Sequence, residues 1–429
     1  MPLFIITMLL GLVAAAVPVA AVLGILSLTL DEIFMRGRRS LMLGDFVWEQ
    51  SVEYLLVAIP MFILLGEIML RAGIAVRMYN AVAEWLSWLP GGLMHANIGS
   101  SAIFAATSGS SVATAATVGT VAYPEIEKRN YNESLFLGSI AAGGTLGILI
   151  PPSINLIIYG LLTNTSVPEL YLAGIFPGLA LALLFMAVVV VACLWKPHWG
   201  GVKVKTDWAS RIRVLPDLLP PVMLFLAVVG SIYAGIATPT EAASIGVVFA
   251  LIIAAINKAL NIEMLKEAFE GTMRSSATIM LIILAAVFLN FVLGFMGVTQ
   301  VMLETIKELG WSPMETMIVI VLFYLLLGMF METLSMMLTT IPVVFPIVAH
   351  MGFDPVWFGI MITVLMEAAL ITPPIGINLY VVHGIRARGG KFSDVSIGAL
   401  PFLIAMFVLI AVLLVLPDIA VWLPQQFYG

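Results

Sequence analysis

The sequence predicts an all-α polytopic membrane protein built as an inverted-topology repeat, with two re-entrant helical hairpins and two broken helices. Three observations predict it. Of the 429 residues, 62% are hydrophobic and 10% charged, against roughly 25% charged in a soluble chain, so the solvent is lipid. The apolar segment Gly143 to Gly160, GGTLGILIPPSINLIIYG, is interrupted by Pro151-Pro152, with Ser153 and Asn155 directly after the break. The same device recurs at Ile371 to Gly384, ITPPIGINLYVVHG. A double proline removes two backbone donors and drives the preceding residue out of the helical region. In hydrocarbon each freed carbonyl is costly unless something polar meets it. Such breaks are tolerated where they line a polar cavity, and a matched pair points to the midplane site of a secondary transporter.

Taken in order, the chain is uncharged from Met1 to Leu30 and lacks a basic n-region and a small-residue cleavage site. That stretch reads as a retained first span. Runs long enough to cross about 30 Å of hydrocarbon occur at 3–29, 52–70, 133–160, 169–194, 216–234, 240–257, 275–296, 356–384 and 396–420. The stretches 95–123 and 314–347 are apolar but rich in Gly, Ser, Thr or Pro near their centres. Each suits a helix pair that enters, turns and leaves on the same side. Ala75 to Leu89 and Val301 to Leu309 read as amphipathic interfacial helices. In the first, Arg77, Asn80 and Glu84 are expected opposite Val76, Tyr79, Val82 and Leu86.

The basic segment Lys196 to Arg213 divides two halves that resemble each other. Pro151-Pro152 matches Pro373-Pro374 at a spacing of 222 (373 − 151). Thr117 with Thr339 and Pro124 with Pro346 keep that spacing; Ile154-Asn155-Leu156 matches Ile377-Asn378-Leu379 one residue further on. Gly174 and Pro177 match Gly398 and Pro401 at 224. Chance proline coincidence does not predict a nearly constant offset through ordered landmarks. The expected division is 1–200 for the first repeat, 201–234 for a basic linker and a topology-inverting helix, and 235–429 for the second repeat.

With both hairpins re-entrant, Arg71, Arg77, Lys128, Arg129, Lys196, Lys203, Lys205, Arg211, Arg213, Lys258, Lys266, Arg274, Arg386, Arg388 and Lys391 fall on one side, cytoplasmic by the positive-inside rule. Lys307 falls opposite. Arg36, Arg38 and Arg39 run against the rule; a loop held by a partner, or a different course for the first span, accounts for them. The net charge of −6 carries less weight than this distribution.

The first hairpin supplies Ser100, Ser101, Thr107, Ser108, Ser110, Ser111 and Thr114. Close helix packing explains its small residues Ala113, Ala115, Ala116 and Gly119. It explains Ser108-Gly109-Ser110-Ser111 less well, because two helix ends meet there. An opened tip offers amide donors to a carboxylate and carbonyl oxygens to a hard cation. The second hairpin carries Glu332 at its tip among Met and Phe, where an ionised carboxylate needs a partner or a proton. An interfacial Glu reaching headgroup water is the plainer alternative. Each tip is expected to face the broken helix of its own repeat, Ser108–Ser111 with Gly143–Ser153 and Glu332–Ser335 with Thr372–Asn378. The hydroxyl and carbonyl inventory suits sodium better than a proton. Its expected sites draw on Ser101, Ser110, Ser111, Gly143, Gly144, Thr145, Pro151 and Asn155, and on Thr333, Ser335, Thr339, Thr372, Pro374 and Asn378.

Other chemistries fit poorly. Glu67, Glu241 and Glu367 read as anchors or helix partners near span ends, although Glu332 or Glu367 taking a proton stays open; His95, His198, His350 and His383 are scattered. Cys193 is the single cysteine, which excludes an intramolecular disulfide or a cysteine metal cluster. Ala106-Thr107-Ser108-Gly109 faintly resembles a membrane serine-protease nucleophile but has no placed His base. There is no zinc-protease motif and no phosphate loop, so neither an enzyme nor an ATP-driven pump is indicated. A channel is the stronger rival, but it needs a continuous polar pore rather than two concentrated constellations.

At these residues the chain resembles the large membrane subunit of tripartite ATP-independent periplasmic (TRAP) transporters. The resemblance spans nearly the whole chain, through AIPMFILLGEIM at Ala58 to Met69, the Ser-rich first hairpin, GTLGILIPPSINLIIYG and TPPIGINLYVV. It implies a sodium-driven elevator in the bacterial inner membrane, with no other cofactor and no nucleic acid. It also implies a periplasmic substrate-binding protein that delivers a carboxylate solute, and a separate small four-helix membrane subunit. Hairpins and broken helices form the moving transport domain, and the other helices form the scaffold. By this likeness Ser108, Ser153 and Glu332 stand nearest the substrate; the family commonly has Asp at the second tip, where this chain has Glu332. The sialic-acid branch is the nearest likeness, with dicarboxylates and sugar acids as alternatives.

Overall fold

Local chemistry sets the helix ends. The computed structural model describes residues 2–15, 17–37, 40–202, 207–386 and 389–428; Arg38, Arg39, Lys203, Lys205 and Arg388 of the charge argument lie outside these. Among the described residues the regular elements are helices, with one isolated bridge between Tyr131 and Gly200. Among the described residues seven helices are long and apolar enough to cross a membrane. Apolar side chains such as Leu179, Leu183, Val191 and Leu194 stand exposed along one of them, as lipid contact requires.

The opening run 3–29, read as one span, is two helices, Pro2–Ala14 and Val19–Met35. Pro18 in extended conformation separates them, because proline disfavours a helical residue before it. The course of the first span therefore differs from the one the charge argument used. The last run, 396–420, is also divided: a helix stops at Val415, and Asp418–Tyr428 begins anew after Pro417. The expected 275–296 span starts earlier, at Ile262, where Asn261 caps Met264 N. Leu43–Ser51 is a short helix with no counterpart in the sequence reading. In the interfacial helix Ala75–Leu86, Tyr79 and Val82 are buried as expected, but Val76 is 51% exposed. At 100° per residue Val76 falls beside Asn80 rather than opposite it.

The helices that position the site are α1 (Ala58–Arg71), α2 (Leu93–Ser108), α3 (Ser111–Ala122), α4 (Glu133–Thr145), α5 (Ile154–Thr163), α6 (Val167–Trp195), α7 (Ile262–Phe295), α8 (Pro313–Gly328), α9 (Thr333–His350), α10 (Pro355–Ile371), α11 (Ile377–Gly384) and α12 (Phe392–Val415). The pairs α2–α3 and α8–α9 are the two hairpins; α4–α5 and α10–α11 are the two broken helices. Both Pro-Pro bonds, 151–152 and 373–374, are cis. Helix α10 is the central strut, with Val356 to Ile371 all buried.

Packing departs from the expected pairing in one respect. The leading half of each break, α4 or α10, packs on its own hairpin. The trailing half crosses over: α5 lies against α9, and α11 against α3 and α4. The halves are also locked where α4 crosses α12. There a Cβ on Gly398 would stand 1.8 Å from Ser134 O, and one on Gly138 would stand 2.0 Å from Gly398 O. Arg386, after α11, closes this body by meeting Glu133 at 2.5 Å and Asp394 at 3.2 Å. A second body forms around α7, which packs against α1 and Val19–Met35, with Pro239–Ile256 on the far side of α1.

Candidate functional site

The first tip is built by hydroxyls. Helix α2 ends at Gly109, which takes the left-handed conformation, φ 59°, open to glycine at no steric cost. Ser110 then turns extended and caps α3, its Oγ accepting from Ala113 N. Thr114 Oγ1 donates to Ser110 O at 2.7 Å, so the Ser108 hydroxyl is the donor in its 3.0 Å contact with Thr114. Ser111 Oγ reaches across to Thr145 O at 3.1 Å, taking a carbonyl near the end of α4.

The first break satisfies itself in a similar way. Ser153 caps α5 and donates to Ile148 O at 2.5 Å, one of the carbonyls freed by the prolines. Pro151, Pro152 and Ser153 are all buried. The second break is more open, with Pro374 and Ile375 exposed. Gly376 precedes α11 with no side chain to cap it.

The second tip is built by a carboxylate. Glu332 is half-buried and caps α9. One carboxylate oxygen accepts from Ser335 N at 3.0 Å and Ser335 Oγ at 3.2 Å, and the other accepts from Thr333 Oγ1 at 3.0 Å. Ser110 and Glu332 stand 222 residues apart (332 − 110), the spacing of the Pro-Pro pairs. The two caps are therefore the same repeat position filled by different chemistry, an equivalence the conserved offset could have revealed from sequence.

These elements enclose one cavity of about 210 Å³. Ser108, Gly109, Ser110, Ser111 and Ala113 line it from the first tip, and Glu332, Thr333 and Leu334 from the second. The breaks contribute Ile148, Ile154, Asn155, Leu370 and Ile377, and the α1–α7 body contributes Ile63, Gly66, Glu67, Leu70, Ser275 and Ile279. The first turns of α3, α5, α9 and α11 thus all open onto one space. Helix N-termini carry unsatisfied N–H groups and partial positive charge, so four of them favour an anion. On the wall, Glu67 pairs with Arg71, which also meets Glu267 at 3.2 Å.

The expected site residues divide. Ser108, Ser110, Ser111, Glu332, Thr333 and Asn155 meet at the cavity. Ser153 lies behind it as a fully buried cap. A second cluster forms where α11 crosses onto α4. Asn378 donates to Ala141 O at 3.2 Å and lies beside Gly144, while Ser101 Oγ sits 3.0 Å from where a Gly143 Cβ would stand. Asn378 Oδ1 and Ser101 Oγ are buried oxygens without a hydrogen-bond partner among the described residues. Asn378 therefore joins the first half, not its own hairpin. Thr339 faces away, onto an apolar cavity of about 500 Å³ between α9 and the opening helices; Thr372 bonds back to Ala368 O and Pro374 is exposed. Glu241, in the first turn of Pro239–Ile256, bonds back to the capping residue Thr238 through its carboxylate. Glu367, read as an anchor near a span end, is instead fully buried in α10 with both oxygens unpartnered among the described residues.

A cavity at paired hairpin tips and helix breaks, inside a multi-pass helical body, defines a secondary transporter. Residues 6–419 match the family model described as "Tripartite ATP-independent periplasmic transporter, DctM component", and the chain belongs to this family. It is a transporter component of the bacterial inner membrane, not an enzyme. It is 34% identical over 382 residues to a C4-dicarboxylate TRAP transporter large permease protein of Pseudomonas aeruginosa, covering 88% of each chain. It is 30% identical over 380 residues to a sialic acid TRAP transporter large permease protein of Vibrio cholerae, again 88% of each, and 31% identical to an ectoine TRAP transporter large permease protein of Halomonas elongata, over 86% of each. The YdaH transporter of Alcanivorax borkumensis, solved as a crystal structure, shares the fold with a TM-score of 0.66 at 16% identity, covering 99% of this chain and 98% of that one.

Proposed function

We propose that this chain is the permease subunit for sodium-coupled uptake of a small organic carboxylate. The reading includes a periplasmic substrate-binding protein that delivers the solute and a small four-helix membrane subunit beside the scaffold. The single observation that carries it is the convergence of four helix N-termini on one cavity, a preformed site for a carboxylate. Sodium suits two buried oxygens without a partner among the described residues, Ser101 Oγ beside Gly143 and Asn378 Oδ1, whose amide nitrogen lies against Gly144. Oxygen ligands of this kind favour a hard cation. The hairpins and broken helices of both repeats, tied by the exchanged half-helices, move together past the α1–α7 body. The smooth contact between Gly66 and the Ser108 backbone, where a Cβ would come within 2.8 Å of Ser108 O, supports such sliding. Relatives named for dicarboxylate, sialic acid and ectoine stand at similar identity, so the sialic-acid expectation gives way here to the broader class.

Proteoliposomes holding this chain, its small subunit and its binding protein test the reading. Uptake is expected to need external sodium and to saturate. Equal uptake on a proton gradient without sodium overturns the coupling; conduction proportional to solute with no saturation supports a channel instead.

A further inference from the structure

We propose that the segment from Lys196 to Arg213 is a docking surface for anionic phospholipids of the cytoplasmic leaflet. Lys196 and Arg213 hold the headgroups, and Trp208 and Ile212 lie against the acyl chains. The proposal goes beyond the permease reading and does not depend on the solute carried.

Charge is the first support. The segment carries five Lys or Arg and a single acid, Asp207. That acid is occupied, because it caps the helix Trp208–Arg213 and accepts from Ser210 N at 2.9 Å. Lys196 and Arg213 are exposed and make no salt bridge among the described residues. Span α6 ends at Trp195, and the next span, Leu215–Tyr233, starts just beyond Val214. Both ends of the segment therefore lie at the membrane surface, where a basic cluster beside a span attracts anionic lipid.

The second support is apolar exposure that continues from a lipid-facing surface. Trp208 is 69% exposed and Ile212 62%. Trp208, Ile212, Leu215 and Leu219 recur at the spacing of one helical face, and all four are exposed. Val222 and Leu226 carry the same exposed stripe along the span. The acyl chains that cover Leu219 and Leu226 thus extend onto Ile212 and Trp208. The cations stand beside aromatic rings: Lys196 Nζ lies 4.4 Å from the Trp199 ring centroid, and the Arg211 guanidinium 5.1 Å from that of Trp208. Trp85, on the interfacial helix Ala75–Leu86, meets Trp208 edge-on and donates to Arg211 O at 3.2 Å. Tryptophan with cations at this depth is the arrangement of a headgroup interface. The segment is also stitched to the start of α4, with Asn132 N donating to Trp199 O and Val202 N to Arg129 O. Lipid held here sits beside the cytoplasmic end of the first broken helix.

Quenching of tryptophan fluorescence tests this on the full chain, in a series of phosphatidylcholine nanodiscs containing rising fractions of brominated phosphatidylglycerol or brominated phosphatidylcholine. Half-maximal quenching is expected at the lower mole fraction for the anionic lipid, and Trp208→Phe should diminish the difference. Lys196→Gln and Arg213→Gln should each raise the required phosphatidylglycerol fraction about fivefold, the worth of one juxtamembrane cation. Monodisperse elution and an unchanged unfolding midpoint in phosphatidylcholine confirm that the variants are folded. Equal quenching by the two lipids overturns the assignment, as does a preference that survives both charge substitutions or is undiminished in Trp208→Phe. The preference should also persist when the small membrane subunit is added. Its loss on that addition gives the surface to a protein partner and overturns the proposal as well.

Discussion

The two hairpin tips occupy the same place in the repeat and meet across one cavity, yet they are capped by opposite chemistry. Ser110 brings a neutral hydroxyl, and Glu332 a carboxylate held by three donors. The breaks differ in the converse sense: Ser153 caps α5 and takes the Ile148 carbonyl, whereas Gly376 leaves α11 uncapped and the second break more exposed. Side-chain hydrogen bonds thus tie both the tip and the break of the first repeat, whereas in the second they hold the tip and α11 starts uncapped. Two folds of the same plan share backbone positions, while the side chains at those positions polarise the space between them.

The largest expected effect tests whether the two halves are equally tightly locked. Gly398→Ala drives a Cβ to 1.8 Å from the Ser134 carbonyl, whereas Gly174→Ala, its repeat counterpart, brings one to 2.6 Å from Leu149 O. Gly398→Ala should abolish monodisperse protein in detergent gel filtration, with Gly174→Ala retaining a folded fraction. Equal loss would erase the difference between the halves.

Next comes the tip chemistry. Glu332→Ser makes the second tip like the first and keeps a competent cap. It should leave the unfolding midpoint nearly unchanged and lower uptake by roughly ten- to a hundredfold, the worth of a charge-assisted hydrogen bond. Unchanged uptake in proteoliposomes would show the polarity to be incidental. Ser108→Ala, which removes the ties to Thr114 and to Ser110 N within the first tip, should reduce uptake less.

A smaller effect is expected at the first break. Ser153→Gly copies the uncapped second break, removes the cap and leaves the buried Ile148 carbonyl unmet, lowering stability by about 1–3 kcal/mol. Denaturant or thermal unfolding reads this directly, and no change would mean that the breaks are energetically alike. Smallest of all, Thr339→Val, on the side of α9 facing the apolar cavity, should leave the sodium dependence of uptake unaltered. A shifted sodium midpoint would return Thr339 to the ion site.

What the sequence by itself determined is the local chemistry of this protein. Proline pairs break helices wherever they stand, and Asn, Ser, Thr or Glu before an apolar run caps a helix, so hairpins, breaks and the candidate residues at their tips were legible in the letters. The repeat offset made the two halves legible as well. Only the tertiary structure decided which pieces meet. The crossing of α5 onto α9 and of α11 onto α4, the transfer of Asn378 to the first half, the turning away of Thr339 and the burial of Glu367 all depend on packing between residues far apart in the chain. Local chemistry chooses where a helix ends; the fit of one helix surface against another, decided here by contacts such as Gly138 with Gly398, chooses its neighbour.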